Sequence, residues 1–486
     1  MKKSILIFVL LIGVISFSSC EDFLNIEPVS QGIAVGDAVG DTLLFETAGE
    51  VEAALAGVYA DFRNEYWSLD YFVNGDAQSD DAYAGADNPM NFQIDEFRIV
   101  ATNTNVSRNW ASLYSTIGKA NAVINNVDAV PNLSAERKRQ IKGEAAFIRA
   151  FMYFQAVQLW GGVPLQLKEV KTVSAELLPV IFPMLFPART NTDGVFAQIK
   201  SDLKLALEGV PVTAPNKGFA TRGAVNAVLA KVYATQQPPK WDSVLYFSNA
   251  VINGGYSLLP QFDHLWNNTQ ENSSESIFEI NYEGTPGSHN WGASMFRGLD
   301  WKKFNTPSHD LVAAFDAEGD VIRKNASIIF LNVTGRWGDP YWPAINFPFV
   351  NKYRIFSGSS AQNFILIRLA DIILLRAEAL NANGNVAGAA ALVNQIRSRV
   401  NLPPTTAANQ ADMRLAIERE RRLELAFEGH RWFDLKRTGR AIEVMNNAKG
   451  PGGVSMGYNL TVERLLWPIP QAELDRNQNL VQNPGF

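Results

Sequence analysis

Cysteine is almost absent from this chain, because Cys20 is the only one in 486 residues. A disulfide within the chain is therefore excluded, and stability must come from packing. An excess of positive charge is absent as well: 43 lysine and arginine residues face 49 aspartate and glutamate residues, which gives a net charge of −6. Because nucleic acids are recognised through a basic field, this balance predicts no nucleic-acid partner.

Motifs for catalysis and metal binding are also scarce. No two of the four histidines have the i, i+4 spacing of a helical metal site, and there is no Walker loop. The G-x-S-x-G sequence at 453–457 follows Gly-Pro-Gly rather than a strand, which indicates a loop and not a nucleophile elbow. Asp316, Glu318 and Asp320 depart from the spacing of an EF-hand loop, so we expect a solvated turn and no cofactor, with a structural calcium ion as the alternative.

Long hydrophobic runs are missing except near the first residue. Lys2 and Lys3 precede an apolar run over 5–15, and Cys20 follows Ser-Ser shortly after it. A positive start, a short apolar run and small residues are typical of a secretory signal, and the run is shorter than the roughly 20 residues that span a membrane. We expect a signal peptide over 1–19 and, because the pattern resembles a bacterial lipoprotein signal, lipid on Cys20.

Helical periodicity is plentiful on either side of an irregular middle region. The predicted helices cover 50–66, 106–128, 134–160, 191–208, 221–235, 241–253, 363–383, 385–400, 409–428 and 430–447. Residues 254–362 have no long amphipathic period but hold five of the 11 tryptophans, which argues against disorder. Within one domain over 20–486 we therefore expect a helical scaffold at 50–253 and 363–447, a loop-rich insertion at 254–362, and a tail at 448–486.

Two segments of this scaffold, 370–403 and 223–253, fit a helix-turn-helix unit of the tetratricopeptide type. In the first unit Ala377 and Ala389 alternate with larger residues, and in the second Ala230 and Ala250 do so. Small residues at these positions let two antiparallel helices approach closely. The sequence therefore predicts a mainly α fold of stacked helical pairs.

Three blocks of sequence, in a fixed order, carry a family resemblance. They are EAAFIRAFMYFQAVQLWGGVPL at 144–165, ERERRLELAFEGHRWFDLKR at 418–437 and LWPIPQAELDRNQNLVQNPGF at 466–486. Shorter matches are DFLNIEPVS after Cys20, ANAVINNV at 120–127 and LADIILLRAEALNANGN at 369–385. Read together, they resemble the SusD/RagB family of surface lipoproteins from one end of the chain to the other.

The resemblance implies a fold, a location and a role. SusD-like proteins stack about four tetratricopeptide-like helical pairs beneath a large irregular ligand-binding region. They are lipid-anchored on the outer face of the outer membrane, bind a nutrient glycan without catalysis, and deliver it to a SusC-like TonB-dependent transporter. A RagB-like member would bind peptides instead. A surface glycosidase is the enzymatic alternative, because a pair of catalytic carboxylates cannot be recognised in sequence.

The charged 418–437 block allows two interpretations, an anion site or a pair of helices held by ion pairs. Its arginines and acids alternate at helical spacing, and large apolar residues lie between them. Such charges can pair across turns and between helices. We therefore expect a structural role for this block.

Glycan-binding residues should be aromatic and exposed, because a flat ring stacks on the C–H face of a sugar while polar side chains bond its hydroxyls. Two segments fit this description, the acidic segment 76–92 and the tryptophan-rich insertion. The candidates are Asp81, Tyr83, Asn88, Trp291, Trp301, Trp337 and Trp342. The family resemblance points to Tyr83 in particular, since a binding aromatic lies in the corresponding loop. The alternative is that the tryptophans fill a core beneath long loops.

Overall fold

The computed structural model describes residues 43–85, 87–169, 178–297, 302–355 and 360–486, so Cys20, the expected signal peptide and Trp301 lie outside the described residues. Its helices are α1 (Ala48–Ala60), α2 (Pro89–Asp95), α3 (Thr104–Asn126), α4 (Ala135–Trp160), α5 (Leu178–Leu185), α6 (Thr192–Gly209), α7 (Arg222–Thr235), α8 (Trp241–Ile252), α9 (Gly292–Arg297), α10 (His309–Glu318), α11 (Val321–Ser327), α12 (Leu369–Ala382), α13 (Val386–Arg399), α14 (Gln410–Glu424), α15 (Arg431–Arg437), α16 (Ala441–Asn447) and α17 (Gln471–Arg476). Its strands are β1 (Ala82–Tyr83), β2 (Ser276–Ile280), β3 (Thr306–Pro307), β4 (Ile328–Leu331), β5 (Phe347–Val350) and β6 (Phe364–Arg368).

Helix α4 lies at the centre of the scaffold. It begins at Ser134, whose hydroxyl accepts a hydrogen bond from the backbone N–H of Arg137, and it ends at Gly161 with φ of 73°. It is buried on more than one side and packs against α3 and α6. A helix that is apolar around most of its circumference must be surrounded by other elements, which is what its two rows of large apolar residues predict.

The two predicted helix-turn-helix units correspond to α7–α8 and α12–α13. Within each unit the helices pack together, and α8 also packs against α12. Ala230, Ala234 and Ala379 lie in a small core between these helices, where their short side chains let the backbones approach. Tyr233 of α7 stacks on Phe247 of α8 with ring centroids 5.5 Å apart. The units therefore stack side by side, as the repeat pattern indicates.

The middle region is less irregular than its sequence suggests. It holds α9, α10 and α11, which are too short to produce a clear helical period, and strands from three antiparallel pairs. Strand β2 pairs with β6, β1 with β3, and β4 with β5. Residues 364–368, which we expected to begin a helix, form β6 instead, because β2 supplies a partner that lies far away in the sequence.

A buried ion-pair network joins the middle region to the scaffold. Arg368, at the end of β6, is fully buried and pairs with Glu275, Glu424 and Glu428 at 3.0 Å or less. Arg323 of α11 also pairs with Glu424, at 3.1 Å. Burial alone would raise the pKa of Glu424, but the surrounding guanidinium groups hold it well below its ordinary value. The 418–437 block thus has the structural role that its pattern favours.

No helix in the described ranges is both long and apolar enough to cross a bilayer.

Candidate functional site

The candidate site is the loop over 332–346 that connects β4 to β5, together with the side chains on which it rests. The two strands pair in register from Ile328 opposite Val350 to Leu331 opposite Phe347. The pairing holds both ends of the loop close together. The loop then lies against β1 and β3, which pair with each other at Tyr83 opposite Thr306. Four aromatic side chains meet here, and we call them the aromatic platform: Tyr83, Trp337, Tyr341 and Trp342.

Asp339 organises the loop. Its Oδ1 accepts hydrogen bonds from the Tyr83 hydroxyl at 2.8 Å and from the backbone N–H groups of Tyr341 and Trp342 at 2.9 and 3.2 Å. Its Oδ2 accepts one from the Lys303 ammonium at 3.0 Å. Only 1% of the Asp339 side chain and 8% of the Lys303 side chain are exposed. One buried carboxylate therefore fixes the backbone that carries Tyr341 and Trp342.

Trp342 is held in one orientation by two contacts, and one of the contacting residues is itself held in place. Its indole Nε1 donates to the carbonyl oxygen of Pro307 at 3.0 Å. Its ring stacks on the imidazole of His309, with centroids 3.6 Å apart and planes 11° from parallel. The Nε2 of His309 in turn lies 2.9 Å from the carbonyl oxygen of Tyr341, to which it donates. Trp342 and Tyr341 are both half-buried, so neither residue is closed off from solvent.

Trp337 forms the other end of the platform. Its ring lies edge-on to Phe347, with centroids 4.7 Å apart, and the Lys303 ammonium lies 4.6 Å from the ring centre. A cation over an aromatic face is stabilising, particularly when it is shielded from water. Lys303 therefore contacts both the Trp337 ring and the Asp339 carboxylate. It fixes the position of Trp337 relative to the loop segment that Asp339 holds.

Within the described part of the chain, the platform lies beside a small cavity and not a deep pocket. The cavity between Tyr83, His309, Tyr341 and Tyr458 measures about 20 Å³. That is room for about one water molecule, whereas pockets that enclose a ligand measure about 300–1,000 Å³. A ligand at this site would therefore lie across the parts of Trp337, Tyr341 and Trp342 that remain exposed.

Tyr83 supports the platform from below. Only 4% of the residue is exposed, and its ring meets that of Tyr341 edge-on with centroids 4.8 Å apart. In this arrangement its ring has no free face for a sugar, although the sequence favoured it as a stacking residue. Burial and the Asp339 carboxylate raise the pKa of the Tyr83 hydroxyl well above its ordinary value. The hydroxyl therefore stays protonated and remains a hydrogen-bond donor.

The other sequence candidates lie elsewhere. Asp81 is buried and pairs with Arg422 at 2.7 Å, and Asn88 caps α2 by accepting a hydrogen bond from the backbone N–H of Met90. Trp291 is half-buried against the main core. The structure thus brings Tyr83, Trp337 and Trp342 together, whereas no described contact joins Asp81, Asn88 or Trp291 to them.

Three residues of the site were missed by the sequence interpretation, namely Asp339, Lys303 and His309. The only local signal was the Asp-Pro pair at 339–340, which is typical of a turn. Within the described ranges, no group of three or more histidine, cysteine or acidic residues is arranged to hold a metal ion. The site therefore has the elements for stacking and hydrogen bonding, arranged around one buried ion pair.

Two models of protein families match this chain. The model described as "SusD family" matches residues 342–486. The model described as "Starch-binding associating with outer membrane" matches residues 22–234.

Individual proteins match over most or all of the chain. SusD-like protein P2 of Formosa agariphila is 28% identical over 538 aligned positions, which cover 100% of both chains. A SusD-like protein of Bacteroides ovatus is 25% identical and covers 86% of this chain and 80% of its own. Among solved structures, a laminarin-binding SusD-like protein matches with a TM-score of 0.74 and 26% identity, covering 91% of this chain and 100% of its own. A SusD homologue from Bacteroides thetaiotaomicron matches with a TM-score of 0.75 and 22% identity, covering 91% and 98%. The predicted fold class is thereby confirmed.

Proposed function

Because this chain belongs to the SusD family, we propose that it binds a nutrient glycan across the aromatic platform. The observation that carries the proposal is the way Asp339 and Lys303 fix Trp337, Tyr341 and Trp342 at the surface. A rigid platform loses little conformational entropy when a ligand binds, which favours affinity. The similarity to a laminarin-binding SusD-like protein supports a glycan as the ligand class.

The chemistry of the platform suits a sugar chain. The ring of Trp342 presents an apolar face to the C–H side of a pyranose, and the Tyr341 hydroxyl lies on the same loop to bond the hydroxyls of the sugar. The lack of an enclosing pocket suits an internal stretch of a polymer, because a chain that continues in both directions cannot enter a closed cavity. We therefore expect oligosaccharides to bind more tightly as their length increases to the span of the platform.

A glycan array followed by calorimetry tests this proposal. The soluble protein over 21–486 is screened on the array, and the best glycan is titrated into wild type, Trp342→Ala and Tyr341→Ala. Tyr246→Ala is the matched control, because Tyr246 is an aromatic residue that is 71% exposed on α8, outside the platform. We expect each platform variant to weaken binding by about fivefold or more, because a lost stacking contact costs about 1–3 kcal/mol.

Two outcomes would count against glycan binding at the platform. One is equal affinity of wild type and both platform variants. The other is a glycan array without any ligand together with binding in a parallel peptide screen, which would favour the RagB-like alternative. Release of reducing sugar from the bound glycan by purified protein would contradict a role in binding alone and favour the glycosidase alternative.

A protein that captures a glycan at the cell surface needs an anchor in the membrane and a transporter that takes up the glycan. We propose that Cys20 carries lipid, that the protein faces the exterior on the outer membrane, and that it delivers glycan to a SusC-like TonB-dependent transporter. The match to a family described as associating with the outer membrane supports the location. Cys20→Ala should release a folded protein that still binds glycan. Its retention in membranes of cells that lack the transporter would contradict the anchor, and failure of wild type to co-purify with a barrel transporter would contradict the partner.

A further inference from the structure

Helix α5 exposes large apolar side chains to solvent. Val180 is 67% exposed and Phe182 is 53% exposed, and Leu178 at the beginning of the helix is exposed as well. Ile181 is the buried residue of α5. Single apolar residues are common on protein surfaces, whereas several on one short helix indicate contact with another apolar surface.

The segment 178–187, which contains α5, has no polar side chain. Its sequence is LPVIFPMLFP, and three of its ten residues are prolines, which have no backbone N–H. Interfaces between proteins usually combine an apolar centre with about one hydrogen bond per 100–200 Å². The side chains of this segment cannot make such bonds. The segment therefore suits a partner that offers hydrocarbon and requires no polar contact, which is the interior of a lipid layer.

The tail of the chain binds the polar backbone at the end of this segment. The Nδ2 of Asn479 donates to the carbonyl oxygen of Phe186 at 2.8 Å, and the Nδ2 of Asn477 donates to that of Pro187 at 2.9 Å. Carbonyl groups at the end of a helix have no helical partner and need such donors. The ring of Phe182 contacts that of Phe186, with centroids 4.7 Å apart. The tail thus fixes the segment through its backbone and leaves apolar side chains at the surface.

Helix α5 and the beginning of α1 lie at opposite ends of the scaffold. Near α5, Arg189 donates to the carbonyl oxygens of Trp160 and Gly162, which are at the C-terminal end of α4. In the first turns of α1, Glu52 pairs with Arg137 at the N-terminal end of α4. Helix α4 has 26 residues, so its two ends are about 39 Å apart.

The proposed lipid anchor allows either end of the scaffold to approach the membrane. Cys20 lies 23 positions before Leu43, the first described residue. An extended chain of this length spans at most about 75 Å, which exceeds the length of α4. A lipid on Cys20 therefore holds the protein near the bilayer without fixing how the scaffold is oriented. A second contact with the bilayer would fix that orientation.

From these features we infer that α5 inserts into the surface of the lipid bilayer and is this second contact. Val180 and Phe182 lie among the acyl chains, while the tail keeps the backbone carbonyl groups hydrogen-bonded. A span of the hydrocarbon core takes about 20 helical residues, so a segment of ten lies within the interfacial layer and does not cross it. The inference rests on the proposed location at the membrane, but the contact itself does not require the lipid on Cys20.

Lipid vesicles and the soluble protein over 21–486 test the inference without the anchor. The vesicles contain phosphatidylethanolamine and phosphatidylglycerol, and flotation in a sucrose gradient measures the bound fraction of wild type and of Val180→Asp. Val212→Asp is the matched control, because Val212 is a valine that is 65% exposed in the loop between α6 and α7. The soluble protein lacks Cys20, the only cysteine of the chain, so Val180→Cys and Val212→Cys each accept one environment-sensitive nitrobenzoxadiazole label.

We expect vesicles to bind wild type and Val212→Asp equally, and Val180→Asp at least about tenfold more weakly. The label at position 180 should increase its emission on addition of vesicles, whereas the label at position 212 should not. The melting temperature and glycan affinity of Val180→Asp should match those of wild type, which separates loss of the contact from misfolding and from failure of the glycan site.

Three results would overturn the inference. They are equal changes in emission at positions 180 and 212, equal flotation of wild type and Val180→Asp, and absence of flotation up to about 5 mM lipid. If wild type did not float and Val180→Asp no longer co-purified with a barrel transporter, α5 would contact a protein and not lipid. Retention of the full-length protein in membranes reports on Cys20 and not on α5, so failure of the anchor and failure of this contact are distinguishable.

Discussion

Asp339 is the residue on which the aromatic platform most depends. Two substitutions separate the effect of its charge from the effect of its hydrogen bonds. Asp339→Asn keeps an oxygen that can accept from Tyr83 and from the two backbone N–H groups, but it removes the charge opposite Lys303. Removing one partner of a buried ion pair costs about 3–5 kcal/mol. Asp339→Ala removes the three hydrogen bonds at Oδ1 as well, at about 1 kcal/mol each. The alanine variant should therefore lose about 3 kcal/mol more than the asparagine variant.

Hydrogen exchange measures this difference where it arises. The amides of Tyr341 and Trp342 both donate to Asp339. They should stay protected in the asparagine variant and exchange at least about tenfold faster in the alanine variant. Glycan affinity, titrated in parallel, should fall much more in the alanine variant, because only there is the loop released. If the two amides exchanged equally fast in wild type and in Asp339→Ala, the carboxylate would not organise the loop, and the reasoning would be refuted.

Two further predictions concern the stability of the scaffold. Burial raises the pKa of the Asp70 carboxyl to about 6 in the folded protein despite its pairing with Arg108. Protonation of Asp70 therefore stabilises the folded state fully below about pH 4, and this stabilisation is lost as the pH rises through 6. Between pH 4 and 7, urea titration should show wild type losing about 3 kcal/mol of unfolding free energy relative to Asp70→Asn, and parallel pH profiles of the two proteins would contradict this. A Cβ on Gly75 would lie 2.2 Å from the backbone oxygen of Gly429, whereas one on Gly57 of α1 meets nothing within 4 Å. Gly75→Ala should therefore lower the free energy of unfolding by more than about 3 kcal/mol and Gly57→Ala raise it by about 0.5–1 kcal/mol, so equal urea midpoints would contradict the packing argument.

Helices of the scaffold could be predicted because their signals are local. The caps and periods of α3, α4, α6, α7, α8 and α13 place their ends within about two residues of those in the structure. The 430–447 pattern predicts one helix, but the chain turns at Gly439, where φ is 72°, and two short helices result. A glycine at the end of a helical pattern is the signal that would have divided it.

The candidate site was harder to predict because its contacts join distant parts of the chain. Trp337 and Trp342 could be found from their residue type and their region. Asp339 could not, because Tyr83 lies 256 positions away from it and Lys303 36. A single sequence contains no local trace of such a pair. The stacking residues of a platform are therefore easier to predict than the carboxylate that holds them.

The acidic segment 76–92 illustrates the same limit in a different way. It contains no lysine or arginine, and its composition predicts an exposed loop. In the structure Asp81 pairs with Arg422, and Asp80 likewise pairs with an arginine of the 418–437 block. The acidic segment and the 418–437 block are thus two halves of one ion-pair network. From sequence alone, the first resembles a ligand-binding loop and the second an ion-paired helix that needs no other partner. Buried carboxylates require cations as partners. An acidic segment without lysine or arginine and a distant arginine-rich helix should therefore be tested as partners of each other before either is assigned to a ligand.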